Sequence, residues 1–184
     1  MSGWAKKRSV MRRYDLTAHI YDIRYAEEQA AKIKATLESL RIGGKSRILD
    51  VGCGTGILFD YITEEAETIV GLDISKKILI QAKKRAERFA NAHLILADAD
   101  NMPLKNRVFD FVFAITVLQN APNPAVTLKE IRRAIVNSAK VVVTGMKKAF
   151  GLEDFERLLV ETGLRIESLE SEGLQCYVAV CSTK

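Results

Sequence analysis

The chain predicts an α/β fold, a doubly wound sheet whose last strand runs antiparallel, and three observations carry that expectation. Apolar runs of strand length alternate with amphipathic helical runs from residue 47 onward. The strand-like runs, such as "FDFVFAI" (109–115), are continuous in Val, Ile, Leu and Phe, as in a parallel sheet covered on both faces. The final two runs flank Glu172-Gly173 and read as a hairpin, which supplies the antiparallel end.

Each element follows from its own pattern. Ala26, Ala30, Ile33, Leu37 and Leu40 recur at spacings of four and three, marking an amphipathic helix ended by Gly43-Gly44. "RILDV" (47–51) is the first strand, and residues 56–66 read as a helix. "TIVGLD" (68–73) is the second strand. Ser75 then caps a helix whose inner face is Ile78, Leu79, Ala82, Ala86 and Phe89. "HLILAD" (93–98) and "FDFVFAI" are the third and fourth strands. Asn123 and Pro124 give a cap and a first-turn proline for a helix through Leu128, Ile131 and Ile135. "KVVVTGM" (140–146) is the fifth strand, and residues 152–161 form a helix stopped by Gly163. "LRIESLES" (164–171) and "LQCYVAV" (174–180) bring the sheet to seven strands.

Composition narrows the function classes. With 184 residues, 48% hydrophobic and 28% charged, the chain matches one ordinary globular domain. No apolar stretch approaches the length of a membrane span, so no membrane role is expected. Cys53, Cys176 and Cys181 lack metal-ligand spacing, so no metal is expected and a reducing cytoplasm is the natural setting. Lys6, Lys7, Arg8, Arg12 and Arg13 account for the whole net charge of +5. That basic arm reads either as a phosphate-binding element or as a solvated, partly disordered end. A second basic cluster, from Lys76 to Arg88, lies on the helix capped by Ser75.

The stretch "RILDVGCGTGILFDYI" (47–62) places Gly52, Gly54 and Gly56 where a strand turns into a helix. A nicotinamide dinucleotide site needs a third glycine where Ile57 stands, and a P-loop needs a Gly-Lys-Ser/Thr that is absent. The first three strands end in Asp50, Asp73 and Asp98. Carboxylates around one crevice repel a pyrophosphate but suit a ligand with hydroxyls, an amine and net positive character.

On "ILDVGCGTG" (48–56), "VGLDIS" (70–75), "LADADNMPL" (96–104) and "FDFVFAITVLQN" (109–120), the chain resembles the class I S-adenosylmethionine-dependent methyltransferases. The order and spacing of these blocks and the closing hairpin extend the resemblance over almost the whole chain. It implies a Rossmann-like methyltransferase fold and S-adenosylmethionine as cofactor. It also implies roles. Gly52, Gly54 and Gly56 let the backbone approach the methionine moiety, and Asp50 helps hold its amino group. Asp73 takes both ribose hydroxyls. Ile74 packs on the adenine, Asp98 accepts from its amino group and the Ala99 N–H addresses a ring nitrogen. Tyr14 or Tyr21 closes over the site. By the same resemblance residues 1–41 form a basic arm and lead-in helices placed as a lid, and residues 42–184 form the cofactor-binding core.

The segment after the fourth strand faces the acceptor in this family, which singles out Thr116, Gln119 and Asn120. Ile115-Thr116-Val117-Leu118 stands where amine-methylating relatives carry an Asn/Asp-Pro-Pro-aromatic motif, which argues against base-amine methylation by that route. No catalytic side chain is assigned, because in-line transfer from a sulfonium needs chiefly proximity, and a base only where the acceptor holds its proton. The expected function is methyl transfer to a small molecule or RNA. Alternatives are a tRNA wobble-uridine-type methyltransferase subunit with a small activator protein on the third-strand edge, or a non-catalytic scaffold.

Overall fold

The computed structural model describes residues 3–38 and 40–183; residues 1, 2, 39 and 184 of the two expected segments lie outside them. Two helices lead in: α1 (Gly3–Thr17), a 3-10 turn (Ala18–Ile20) and α2 (Tyr21–Glu38). The alternating part follows as β1 (Ser46–Val51), α3 (Phe59–Ile62), β2 (Ala66–Asp73), α4 (Lys76–Ala86) and β3 (Ala92–Leu96). It continues through β4 (Phe109–Ala114), α5 (Pro124–Ala134), β5 (Ile135–Met146), α6 (Leu152–Glu161), β6 (Leu164–Glu170) and β7 (Cys176–Thr183).

The seven strands lie in the order β3-β2-β1-β4-β5-β7-β6, as the sequence predicts for a doubly wound sheet. β1 to β5 pair in parallel, and β7 inserts antiparallel between β5 and β6. Strand order reverses between β1 and β4, where Asp50 pairs in register with Gly71 on one side and Phe113 on the other. A crevice opens at the carboxyl ends of such strands, because the flanking connections leave to opposite faces.

Two cores cover the sheet. Along β5, Val141 and Val143 face a cluster containing Leu128, Ile131, Phe155 and Leu159, so α5 and α6 seal that side. Val142 faces the other cluster with Phe59, Leu79 and Ile33, contributed by α3, α4 and α2. The continuous valine run is thus buried on both faces. Among the described residues, no helix is long and apolar enough to cross a membrane.

The structure corrects four expectations. Residues 56–66 do not form one helix: α3 is a single turn, Thr63–Glu65 is 3-10, and β2 already begins at Ala66. Gly56 has φ 77°, which no right-handed helix accommodates, so the helix cannot start there. Ile135 opens β5, pairing with Phe109, rather than closing the preceding helix. From Gly3 onward the basic arm is helical rather than disordered, in one helix that runs on to Thr17. α2 begins at Tyr21, a turn earlier than its apolar stripe indicates.

Candidate active site

The turn after β1 forms the floor of the crevice. Gly52 and Cys53 donate their N–H groups to the Leu72 carbonyl at 2.7 and 3.0 Å, tying the turn to the end of β2. Gly52 has φ 69°, and a Cβ there would sit 2.6 Å from Val117 Cγ2. Only glycine meets both conditions. Gly54, at φ 56°, lies under the Tyr21 ring, whose nearest atoms stand 3.7 Å from where its Cβ would be.

Two carboxylates crowd this floor. Asp73, at the end of β2, accepts from the Gly54 N–H at 3.1 Å and the Ser75 N–H at 2.8 Å, one on each oxygen. Burial raises its pKa against these two bonds. Asp50 is 4% exposed, and its carboxylate makes no hydrogen bond or ion pair with any described residue. Burial first, and the Asp73 charge second, push Asp50 up to about 8. It lines a small cavity together with Gln29, Thr55 and the glycine turn. A carboxylate so placed is a standing demand for a cationic donor.

The third acid behaves differently: β3 stops at Leu96, so Asp98 lies two residues past the strand rather than ending it as expected. Asp98 accepts from Lys7 Nζ at 2.6 Å, and the same ammonium reaches Asp100 at 2.5 Å. Burial pulls the Lys7 ammonium down, but the two carboxylates outweigh it and raise it overall. The main crevice is lined at that end by Ala97 and Ala99, with Ile74 and Ile78 beside them, while Asp98 is turned toward α1 and does not line it. Sequence reasoning missed this because Lys7 and Asp98 lie 91 residues apart and no local pattern pairs them.

α1 forms the roof. Val10 and Tyr14 line the crevice, leaving a cavity of about 90 Å³. No α1 residue is buried, so polar contacts hold the helix. Besides Lys7, Lys6 donates to the Ala121 carbonyl at 2.7 Å, and Arg13 donates to Asn120 Oδ1 at 2.7 Å. Asp15 accepts from Ser75 Oγ at 2.6 Å and the Lys77 N–H at 3.1 Å. Tyr14, Tyr21 and Tyr25 run in a tilted row, with centroid separations of 6.0 and 5.1 Å.

The three acceptor-side residues expected from the sequence come together. Thr116, Gln119 and Asn120 line a second cavity of about 540 Å³, and Thr116 and Asn120 line the first as well. Thr116 sits at φ 64°, an outlier for a β-branched residue. Its N–H donates to Thr144 Oγ1 at 2.7 Å, and its carbonyl accepts from Gln119 Nε2 at 2.7 Å and Asn120 Nδ2 at 3.1 Å. Gln119 Oε1 is buried without a partner among the described residues.

A buried polar stripe on α2 was not foreseen. Lys32 is 1% exposed; its Nζ donates to Glu28 Oε1 at 2.6 Å and Thr116 Oγ1 at 3.1 Å. Gln29 reaches the same Thr116 oxygen at 3.3 Å. Gln29, Lys32 and Thr36 are all buried at helical spacing, and that spacing was the available signal. It was hidden because lysine and glutamine normally mark the solvent face.

Residues 49–143 match the family model described as the methyltransferase domain. The chain belongs to the S-adenosylmethionine-dependent methyltransferases. It is 28% identical over 169 residues to a malonyl-[acyl-carrier protein] O-methyltransferase of Marinomonas sp. (strain MWYL1), covering 86% of this chain and 62% of that protein. The chain spans between 47% and 62% of the length of the first curated relatives it matches. Among solved structures, the magnesium protoporphyrin IX methyltransferase (ChlM) of Synechocystis PCC 6803 with bound SAM superposes with a TM-score of 0.77 at 17% identity, covering 97% of both chains. A chain of the complex between the Haloferax volcanii Trm112 methyltransferase activator and a methyltransferase superposes with a TM-score of 0.78 at 12% identity, covering 92% of this chain and 97% of that one.

The groups lining the crevice match the chemistry of the family's cofactor. S-adenosylmethionine carries a sulfonium and an ammonium, and the buried, unpartnered Asp50 beside Asp73 is the complement such a ligand needs. The glycine turn leaves backbone within reach, where side chains would fill the space.

Proposed function

We propose that this methyltransferase delivers a methyl group to a nucleophile on a small molecule seated in the 540 Å³ cavity. The observation that carries this reading is the junction of the two cavities: Tyr14, Tyr21, Thr116 and Asn120 line both. The size lies in the range of small-molecule sites, roughly 300–1,000 Å³. The name of the Marinomonas relative favours an oxygen nucleophile.

In this proposal Asp73 holds the ribose hydroxyls through its remaining lone pairs and Asp50 holds the ammonium. Gly52, Gly54 and Gly56 admit the methionine moiety, Ile74 packs on the adenine, and the Ala99 N–H addresses a ring nitrogen. Asp98 reaches the adenine amino group only when Lys7 releases it. When bound, the cofactor supplies a methyl group already activated by its sulfonium. The chain's own task is to hold the acceptor in line and exclude water. Tyr21 and α1 do the excluding, so residues 1–41 act as lid and residues 42–184 as core. Thr116, Gln119 and Asn120 orient the acceptor. The buried free cysteines suit a reducing cytoplasm.

The test is transfer from labelled cofactor into separated small-molecule, tRNA, rRNA and protein fractions, with Asp73→Ala as control. Label enters the small-molecule fraction and is lost in the variant. Label confined to RNA overturns the reading.

A second reading is favoured by the β3 edge. Ile80 and Leu96 are 51% and 55% exposed and line an apolar groove between α4 and β3. That edge suits a small activator protein, as in a wobble-uridine-type tRNA enzyme, and the Haloferax neighbour comes from an activator complex. Coexpression with an activator that changes neither solubility nor activity argues against it.

A further inference from the structure

We propose that the methyl acceptor is a small flat molecule bearing an anionic group, a carboxylate or a phosphate, which Arg24 and Lys148 bind at the exposed side of the 540 Å³ cavity. The inference rests on the reading of that cavity as the acceptor site and adds the chemical class.

Charge carries the first step. Glu28 is the one acid among the described lining residues, and Lys32 already answers it at 2.6 Å. Arg13 is engaged by Asn120 and lies 4.9 Å from the centroid of the Tyr14 ring. Arg24 and Lys148 make no hydrogen bond or ion pair with any described residue. They also come from separate parts of the fold, Arg24 from the first turns of α2 and Lys148 from the loop after β5. Both side chains are exposed, so a neutral ligand leaves them hydrated and gains nothing from their charge. An anion answers both with charge-assisted hydrogen bonds.

Shape carries the second. Tyr14, Tyr21 and Tyr25 line the same cavity with their rings tilted 55° and 53° to their neighbours, an aromatic lining against which a planar group packs face-on or edge-on. The anionic end meets the cations, and the remainder of the molecule reaches Thr116 and Asn120, where the cofactor crevice begins. An RNA backbone fits less well, because Glu28 places a carboxylate in the same lining.

Calorimetry with three probes, 4-hydroxybenzoate, phenyl phosphate and the neutral 4-hydroxybenzamide, tests this on the full chain, with and without S-adenosylhomocysteine. The wild type is compared with the double variant Arg24→Gln/Lys148→Gln. At least one acid binds about tenfold or more tighter than the amide, and the preference shrinks to within about twofold in the double variant. The double variant keeps wild-type affinity for S-adenosylhomocysteine, which shows that it is folded. Equal binding of acid and amide, binding of neither acid, or a preference that survives in the double variant overturns the proposal. So does tight binding of polyuridylate with no binding of either acid. Absence of S-adenosylhomocysteine binding by the wild type counts against the methyltransferase reading instead, because the acid-over-amide comparison is also read without it.

Discussion

Lys32 Nζ donates to Thr116 Oγ1 at 3.1 Å, tying a buried ammonium on α2 to a threonine held at φ 64° beside both cavities. Strained backbone of this kind costs roughly 1–3 kcal/mol and persists only where its surroundings hold it. Thr144 holds the Thr116 N–H, Gln119 and Asn120 hold its carbonyl, and Lys32 and Gln29 hold its hydroxyl. Lys32→Met preserves the aliphatic stem and removes the donor. Glu28 is 43% exposed and rehydrates, so the stability loss is about 1–3 kcal/mol in urea unfolding. Acceptor kcat/KM falls about tenfold while S-adenosylhomocysteine affinity stays within about twofold. Equal losses in both would make Lys32 a merely structural residue.

Asp50 makes two predictions of opposite sign. The folded chain keeps its proton up to about pH 8, whereas the unfolded carboxyl releases it near pH 4. Between those values the folded state binds the extra proton, so this group's contribution lowers stability as pH rises through that window. Asp50→Asn lacks the dependence, and its Tm therefore gains on the wild type progressively from pH 5 to pH 8. The same substitution weakens cofactor binding, because the cationic ligand loses its counter-charge.

Binding carries the matching proton signature. A cation that needs ionised Asp50 displaces a proton below about pH 8. Affinity for S-adenosylmethionine rises by up to about tenfold per pH unit between pH 6 and pH 8, with proton release visible as a buffer-dependent heat. Affinity that is flat across this range in the wild type places the ligand elsewhere.

The roof helix is held by polar contacts with no buried residue, which places α1 at the low-stability end of the molecule. Lys7→Met breaks its link to Asp98 and Asp100. Dissociation of S-adenosylhomocysteine, followed by stopped-flow, speeds up about tenfold, and added salt narrows the difference from the wild type. An unchanged dissociation rate would mean that α1 does not close the site.

Gly52→Ala tests the floor without touching charge. Its Cβ meets Val117 Cγ2 at 2.6 Å with φ at 69°, so the turn or Val117 must shift. Stability falls by about 1–3 kcal/mol and cofactor affinity drops with it. Denaturant unfolding and calorimetry on one preparation read both.

Much of this was legible in the sequence, for identifiable reasons. Val141 to Val143 read as a strand because a doubly covered parallel strand shows no alternation. Asp50 and Asp73 read as site residues because they end apolar runs beside a glycine turn that fixes where the sheet opens. α1 was illegible because its 15 residues show no apolar period, and the polar contacts that seat it are with distant partners such as Asp98, Ser75 and Asn120. The same blindness left the Lys7 contact on Asp98 unseen. Lys32 was illegible because its burial depends on Glu28 and Thr116 closing around it. Local pattern reveals the elements, and only tertiary contact reveals which charges are already answered.

The central claim is that paired strand-end carboxylates beside the glycine turn bind a cationic nucleoside. Calorimetry of the purified chain with S-adenosylmethionine, S-adenosylhomocysteine and a nicotinamide dinucleotide tests it most directly, with Asp73→Ala alongside. The account predicts saturable heat for both adenosyl ligands, lost in the variant, and none for the dinucleotide. Uptake of the dinucleotide with no heat from either adenosyl ligand contradicts it.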